Sequence, residues 1–134
     1  MRLAFTADEG GFDADEYTLV CGVAGEGHYL TLQRDAEESD EDWGVHLEYD
    51  DQSNGDYDCV AACRVGPEAL AVDLSRPLGR LAGVTGFDVA LRLDPDQVAA
   101  VRAGLRRVFR GRPDALADAE PGDAADSRGR AGFS

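Results

Sequence analysis

The chain of 134 residues is long enough for one domain with a single hydrophobic core. Its net charge of −14 excludes the basic proteins that bind nucleic acid or anionic membranes through a positive field, and it favours cationic partners. No apolar run approaches the ~20 residues that span a bilayer, and the first residues lack the apolar stretch of a signal peptide, so we expect a cytoplasmic protein.

The charge is unevenly distributed along the chain. Residues 1–63 carry 17 acidic side chains and two arginines, whereas residues 64–134 carry 10 acidic side chains and 11 arginines. The three cysteines, Cys21, Cys59 and Cys63, form no disulfide framework, which also fits a reducing compartment. The acidic first half is therefore the part that needs a functional explanation.

The first 34 residues predict three strands. An edge strand at residues 2–6 precedes an acidic, glycine-rich loop at 7–16. Two further strands, at 17–22 and 28–34, are joined by a turn at 24–27 and contain strong β formers.

An acidic run follows the third strand. Residues 35–42 contain six carboxylates, and their mutual repulsion predicts a mobile loop. If the strands on either side of it pair in sequence, the run lies roughly 30 Å from the far end of the next strand. The acidic surface would then consist of two separate patches.

A β-hairpin is predicted between residues 43 and 65. On its incoming strand, Val45, Leu47 and Tyr49 alternate with polar residues, which predicts one buried and one wet face. Asn54-Gly55 favours a two-residue type I′ turn, because both residues tolerate positive φ. That register pairs Gln52 with Tyr57, Tyr49 with Val60, Leu47 with Ala62, and His46 with Cys63.

The second half of the chain predicts two more strands and one helix. The strands lie at residues 69–75 and 87–93, after a turn at 66–68 and a glycine-rich connection at 76–86. Asp94, Pro95 and Gln97 form the capping-box pattern of a helix start. An apolar stripe then runs along the helix, beside a parallel stripe of Arg102, Arg106 and Arg110.

These elements predict an α+β fold. We expect a mostly antiparallel sheet of about six or seven strands, with one C-terminal amphipathic helix packed on a face. Residues 1–111 form this single domain, and residues 112–134 read as a disordered tail rich in Ala, Asp, Gly, Pro and Arg.

Two metal sites are conceivable from the sequence. Residues 50–58 match part of an EF-hand loop, but Ala61 stands where the bidentate Glu is required, so a hairpin tip is the preferred interpretation. In the predicted register, His46, Cys59 and Cys63 share a sheet face, yet the two sulfurs are four strand rises of ~3.3 Å apart. Buried structural cysteines are favoured, and no cofactor is predicted.

Catalysis has weak support. His28, His46 and the many carboxylates allow a triad to be drawn, but with 27 acids some such neighbours arise by chance. No nucleophile elbow, phosphate-binding loop or zincin pattern is present. We therefore predict that the protein is not an enzyme, and keep a small carboxylate-dependent hydrolase as an alternative.

Several segments together resemble the immunity protein 10 family of bacterial polymorphic toxin systems. They are residues 29–34, the acidic connection, residues 44–57 and residues 105–109, with Asp51-Gln-Ser-Asn-Gly-Asp-Tyr57 as the most recognisable. The resemblance implies a small cytosolic α+β protein, encoded beside a toxin that it binds and neutralises, with no catalytic residues to transfer.

We expect the chain to bind and inhibit a cognate protein toxin with a basic surface, without nucleic acid or membrane. Its oligomeric state is open. A small acidic Ca²⁺-binding or other ligand-binding module is an alternative that uses the same carboxylates. The predicted partner-binding residues are Asp35, Glu37, Glu38, Asp40, Glu41, Asp42, Asp50, Asp51, Gln52, Asp56, Tyr57 and Asp58.

Overall fold

The computed structural model describes residues 1–35 and 44–118, together with the backbone of two short strands in the tail. The fold is α+β, as predicted, with ten strands in two five-stranded sheets and one helix. The elements in chain order are β1 (Arg2–Ala7), β2 (Glu9–Ala14), β3 (Thr18–Gly25), β4 (His28–Asp35), β5 (His46–Tyr49), β6 (Asp51–Tyr57), β7 (Val60–Val65), β8 (Ala69–Leu74), β9 (Gly86–Leu91), α1 (Pro95–Val108), a 3₁₀ turn (Pro113–Ala115), β10 (Leu116–Asp118), and the tail strands β11 (Asp126–Arg128) and β12 (Arg130–Phe133).

The first sheet, which we call the meander sheet, is antiparallel and keeps the sequence order β2-β3-β4-β5-β6. The second, the mixed sheet, has the order β1-β9-β8-β7-β10. Strand β1 pairs in parallel with β9, and β10 pairs in parallel with β7. The prediction of an edge strand at residues 2–6 is confirmed.

One core joins the two sheets and the helix. Buried residues alternate along each central strand, such as Leu19, Cys21 and Val23 in β3, so each sheet has one inner face. The Tyr49 ring of the meander sheet lies 4.8 Å, centroid to centroid, from Phe87 of the mixed sheet. The helix covers β2, β3 and β4 on the same inner side.

The helix begins as predicted. The Asp94 side chain accepts a hydrogen bond from the Gln97 backbone N–H at 2.8 Å, and the Gln97 side chain accepts one from the Asp94 N–H. At the other end, the buried Arg34 donates from Nη1 to the Val108 carbonyl at 3.4 Å. A cation at a helix C-terminus is favourable because the carbonyls there carry partial negative charge.

The predicted loop at residues 7–16 is wrong, because residues 9–14 form β2. The glycines of this segment suggested a loop, but the structure gives them a role in packing. A Cβ on Gly10 would lie 2.9 Å from Leu93 Cδ1 and 3.1 Å from Val101 Cγ2. Glycine therefore lets the helix and the segment before it lie directly on this strand.

The predicted Asn54-Gly55 turn is also wrong. Neither residue has positive φ; the chain reverses at Asp50, whose φ is 63°. Glu48 pairs with Gly55 and Tyr49 with Asp51, so residues 52–54 form an irregularity within β6. The Asp50 carboxylate accepts a hydrogen bond from the Tyr29 N–H, and this contact fixes the reversal four residues earlier than the Asn-Gly signal suggests.

The downstream register changes as a result. The predicted pairs Gln52–Tyr57, Tyr49–Val60, Leu47–Ala62 and His46–Cys63 do not form. Strand β7 instead crosses to the mixed sheet and pairs with β8, placing Cys63 opposite Val72. A second positive φ, 54° at Asp58, marks the point where the chain leaves the meander sheet.

The domain extends further along the chain than predicted. Residues 113–118 were assigned to the disordered tail, but they form the 3₁₀ turn and β10. Two arginines of the helix stripe, Arg102 and Arg106, pair with the Asp118 carboxylate. Arg102 is only 8% exposed, so its charge needs this partner.

We predict that Gly104→Ala destabilises the protein by about 1–3 kcal/mol, through overpacking. Alanine normally improves a helix by ~1 kcal/mol relative to glycine, but here its Cβ would lie 2.5 Å from Phe12 Cδ1. Urea unfolding measures the change. The control is Gly11→Ala, whose Cβ meets nothing within 4 Å; an unchanged or higher stability for Gly104→Ala would contradict the packing.

We further predict that Asp118→Asn lowers the free energy of unfolding by about 2–3 kcal/mol, because it leaves the buried Arg102 charge without its carboxylate. Asp114→Asn, at an exposed position in the 3₁₀ turn, is the matched control and should change stability by less than ~0.5 kcal/mol. Equal effects of the two variants would show that β10 adds nothing to the domain.

Candidate partner-binding surface

The predicted partner-binding residues divide between two ends of the meander sheet. Asp35 is the exposed last residue of β4. Antiparallel pairing of Gln33 with His46, and of His46 with Tyr57, brings Tyr57 and Asp58 to that same end. The predicted residues Glu37, Glu38, Asp40, Glu41 and Asp42 lie outside the residues that the structure describes.

Asp50 and Asp51 lie at the opposite end, beside the start of β4. Asp50 Oδ2 is 2.7 Å from His28 Nδ1, and its Oδ1 accepts a hydrogen bond from the Tyr29 N–H at 2.9 Å. Asp51 accepts one from the Ser53 N–H at 2.9 Å, which lowers the pKa of its carboxyl group. Gln52 follows as an exposed residue of β6.

Two of the predicted acids form ion pairs with arginines of the second half. Asp56 lies 2.6 Å from Arg76 Nη1, and this hydrogen-bonded pair lowers the pKa of the Asp56 carboxyl group. Asp58 lies 3.2 Å from Arg112 Nη1. These acids therefore tie the end of β6 to later segments, and part of their charge is neutralised within the molecule.

The geometry does not bring together the zinc ligands that the sequence made conceivable. The zinc hypothesis placed His46 beside Cys63, but β5 and β7 belong to different sheets. Across residues 1–35 and 44–118, no group of three or more His, Cys, Asp or Glu side chains could hold a metal ion. Burial raises the pKa of the Cys21 and Cys63 thiols to about 12 and that of Cys59 to about 11. Neutral thiols are poor ligands and nucleophiles.

His28 and Asp50 form the arrangement that most resembles catalytic machinery. The Tyr49 hydroxyl lies 3.2 Å from His28 Nδ1, the same nitrogen that faces Asp50, and the imidazole stacks on the Tyr49 ring. All of these contacts orient the ring against the core. The His28–Asp50 pair therefore has a structural role: it holds the start of β4 against the chain reversal at Asp50.

Sequence reasoning missed the outward face of the meander sheet. One cross-strand row of this face, at the Asp35 side, is set by the register and contains Asp13, Val20, Gln33, His46 and Tyr57. The alternation of burial along β3, β4 and β5 could have indicated this face, but the wrong hairpin register concealed it. Beside this row, the Tyr29 hydroxyl donates a hydrogen bond to Glu48, and that contact raises the pKa of Tyr29 to about 12.

Comparison with known families identifies the relationship. The family model described as Immunity protein 10 matches residues 6–99, which is most of the chain and includes the whole meander sheet. The chain belongs to the Immunity protein 10 family. A search of the curated proteins finds no match.

Membership in this family carries a toxin-immunity role and the binding of a toxin partner. Immunity proteins of this family are generally not enzymes, which agrees with the structural explanation of the His28–Asp50 pair. No helix in the described parts of the chain is long and apolar enough to cross a membrane.

We predict that Asp50→Ala lowers the free energy of unfolding by about 1–3 kcal/mol, because it removes two hydrogen-bond acceptors and places alanine at positive φ. Thermal or urea unfolding measures this. Gln52→Ala, two residues away and exposed, is the control and should change stability by less than ~0.5 kcal/mol. Wild-type stability of Asp50→Ala would show that the carboxylate does not hold the reversal.

Proposed function

We propose that this protein is a cytoplasmic, non-catalytic immunity protein that binds and inhibits a cognate polymorphic toxin through an acidic surface. It acts as a stoichiometric inhibitor without a cofactor. The family match carries the immunity role, and the charge distribution carries the acidic surface: residues 1–63 hold 17 acids against two arginines.

The structure supports an electrostatic asymmetry across the molecule. The strands of the meander sheet contain one arginine, Arg34, and it points into the core. The exposed Arg106 and Arg107 instead lie on the helix that covers the opposite side of that sheet, and the exposed Arg110 follows the helix C-terminus. A basic toxin would therefore meet a negative sheet face and be repelled from the helix, which favours one binding orientation.

Many toxin effectors that cleave or modify nucleic acid need a basic surface. An acidic inhibitor can occupy such a surface and can be steered to it at a high rate, because long-range attraction raises the association rate constant. The ion pairs of Asp56 and Asp58 hold the end of β6 against later segments of the chain. Asp35 and Asp51 remain exposed to a partner.

The first test is co-expression of this chain with the toxin encoded next to its gene. We expect growth to be restored by this chain and not by an unrelated acidic protein of similar size. Failure to protect, with both proteins present at comparable levels, would overturn the immunity role.

The second test measures the association rate of the purified pair between 50 and 500 mM salt. We expect a decrease of at least ~10-fold, because screening removes steering between opposite charges. Asp35→Asn with Asp51→Asn should lower the rate at low salt, whereas Asp94→Asn with Asp114→Asn is a control of equal charge change. A rate independent of salt would contradict the acidic-surface proposal and leave the immunity role standing.

A further inference from the structure

The outward face of the meander sheet lies on the side away from the helix and from the core shared with the mixed sheet. The helix contacts β2, β3 and β4 from the inner side. There the Val101 carbonyl accepts a hydrogen bond from the Cys21 thiol, and Gly104 lies against Phe12. Outward residues of β3, β4 and β5 are half-buried, whereas their inward neighbours are buried. Such a face in a small domain is available to a partner.

Three cross-strand rows define this outward face. The first, at the Asp35 side, is the row of Asp13, Val20, Gln33, His46 and Tyr57; the second is Gly11, Gly22, Thr31, Glu48 and Gly55; the third is Glu9, Ala24 and Tyr29. The first and third rows bear larger side chains at most positions. The middle row contains three glycines, so it forms a trough between them.

The trough is open space at its β2 side. A Cβ on Gly11 would have no atom within 4 Å, and one on Gly22 would touch only Thr31 Cγ2 and the Leu30 carbonyl. A depression of about 390 Å³ opens at this side of the sheet, and it is lined by sheet residues and by Gln97 of the helix: Glu9, Gly10, Gly22, Val23, Ala24, Tyr29, Thr31 and Gln97. Glu48, which accepts the Tyr29 hydroxyl hydrogen bond, lies further along the same row as Thr31.

The trough fits one kind of side chain. The aliphatic part of an arginine or lysine side chain can lie over glycines while its cationic end reaches a carboxylate. The carboxylates of this face are Glu9, Asp13, Asp35 and Glu48, and its strands present no outward arginine in the part of the chain that the structure describes. A basic protein surface would therefore be complementary in charge to this face.

Exposed aromatic residues lie at the Asp35 end of the meander sheet. Tyr57 is 42% exposed and its ring packs edge-on against His46, with centroids 4.8 Å apart. Tyr17 is 72% exposed and precedes Thr18, the residue that pairs with Asp35. Tyrosines are enriched among the residues that dominate protein interfaces, because they bury a large area at low entropic cost.

The outward face supplies part of the area that a specific complex needs. Strand β4 has eight residues, so the sheet is roughly 23 Å long, and five strands make it roughly 19 Å wide between outer strand axes. The projected area of roughly 440 Å² is about half of the ~800 Å² that each partner contributes to a standard interface. Side-chain relief and the acidic residues at both ends supply further area.

We propose that the outward face of the meander sheet is the toxin-binding surface, with a toxin arginine or lysine lying in the glycine trough and pairing with Glu48. This inference rests on the proposed function and specifies where it is performed. It places the partner along the strands, so that the acidic groups at both ends of the sheet contact one toxin molecule.

The test uses the full chain and the purified toxin domain encoded next to its gene. Thr31→Arg with Gln33→Arg adds two cations to the middle of the outward face, and we expect the dissociation constant to rise at least ~100-fold through like-charge repulsion and loss of the trough. The control is Ala69→Arg with Ala90→Arg, an exposed cross-strand pair on the outward face of the mixed sheet. It adds the same charge and should change the constant less than threefold.

A second variant keeps the shape of the face. Glu48→Gln retains an acceptor for the Tyr29 hydroxyl and removes the charge, so we expect an affinity loss of ~10-fold and a weaker salt dependence. Thermal unfolding confirms that each variant is folded. Wild-type affinity of both outward-face variants, with loss of affinity in the Ala69/Ala90 control, would overturn this inference and leave the immunity role intact. Absence of binding by the wild-type chain would instead overturn the proposed function.

Discussion

The architecture depends on the one-sided burial of the meander sheet. Helix α1 and the mixed sheet share the same inner face. Gly10 lets Leu93 and Val101 approach the sheet closely, and Gly104 lets the helix approach Phe12. On the other side of the sheet, alternate residues of β4, β5 and β6 lie outward, among them Gln33, His46 and Tyr57, whereas Arg34 and Tyr49 are buried on the inner side. A structural constraint in the core thus determines which residues a partner can reach.

The same constraint separates the charges. Most arginines come after the acidic half of the chain. The helix, with its Arg102–Asp118 ion pair, lies on the inner side of the meander sheet, and the outward face lies on the other side. Where the two meet, Arg76 and Arg112 pair with Asp56 and Asp58 and fix the edge of the sheet. The net charge of −14 is consequently not spread evenly, and an inhibitor benefits from a field that orients its target.

Local signals predicted the parts of this fold that local contacts determine. The Asp94–Gln97 capping box and the strands predicted at residues 28–34 and 87–93 are decided within a few residues, and these predictions are confirmed. The Asn54-Gly55 turn failed because a distant contact, from Asp50 to the Tyr29 N–H, fixes the reversal elsewhere. Strand β2 was missed because its glycines allow the helix to pack closely. Strand β10 was missed because it is held by the ion pair between Asp118 and Arg102, which is a contact with the helix and not with sequence neighbours. Of the candidate site, the acidic composition was predictable, but the outward rows required the correct register.

The central claim is that a toxin covers the outward face of the meander sheet. Oxidative footprinting with mass spectrometry tests it most directly, because the exposed side chains Met1, Tyr17 and Tyr57 report on different regions. On adding the toxin domain encoded next to the gene, we expect protection of Tyr17 and Tyr57 and unchanged oxidation of Met1, which lies on the mixed-sheet side beside Gly83. Protection of Met1 with both tyrosines still oxidised would contradict it.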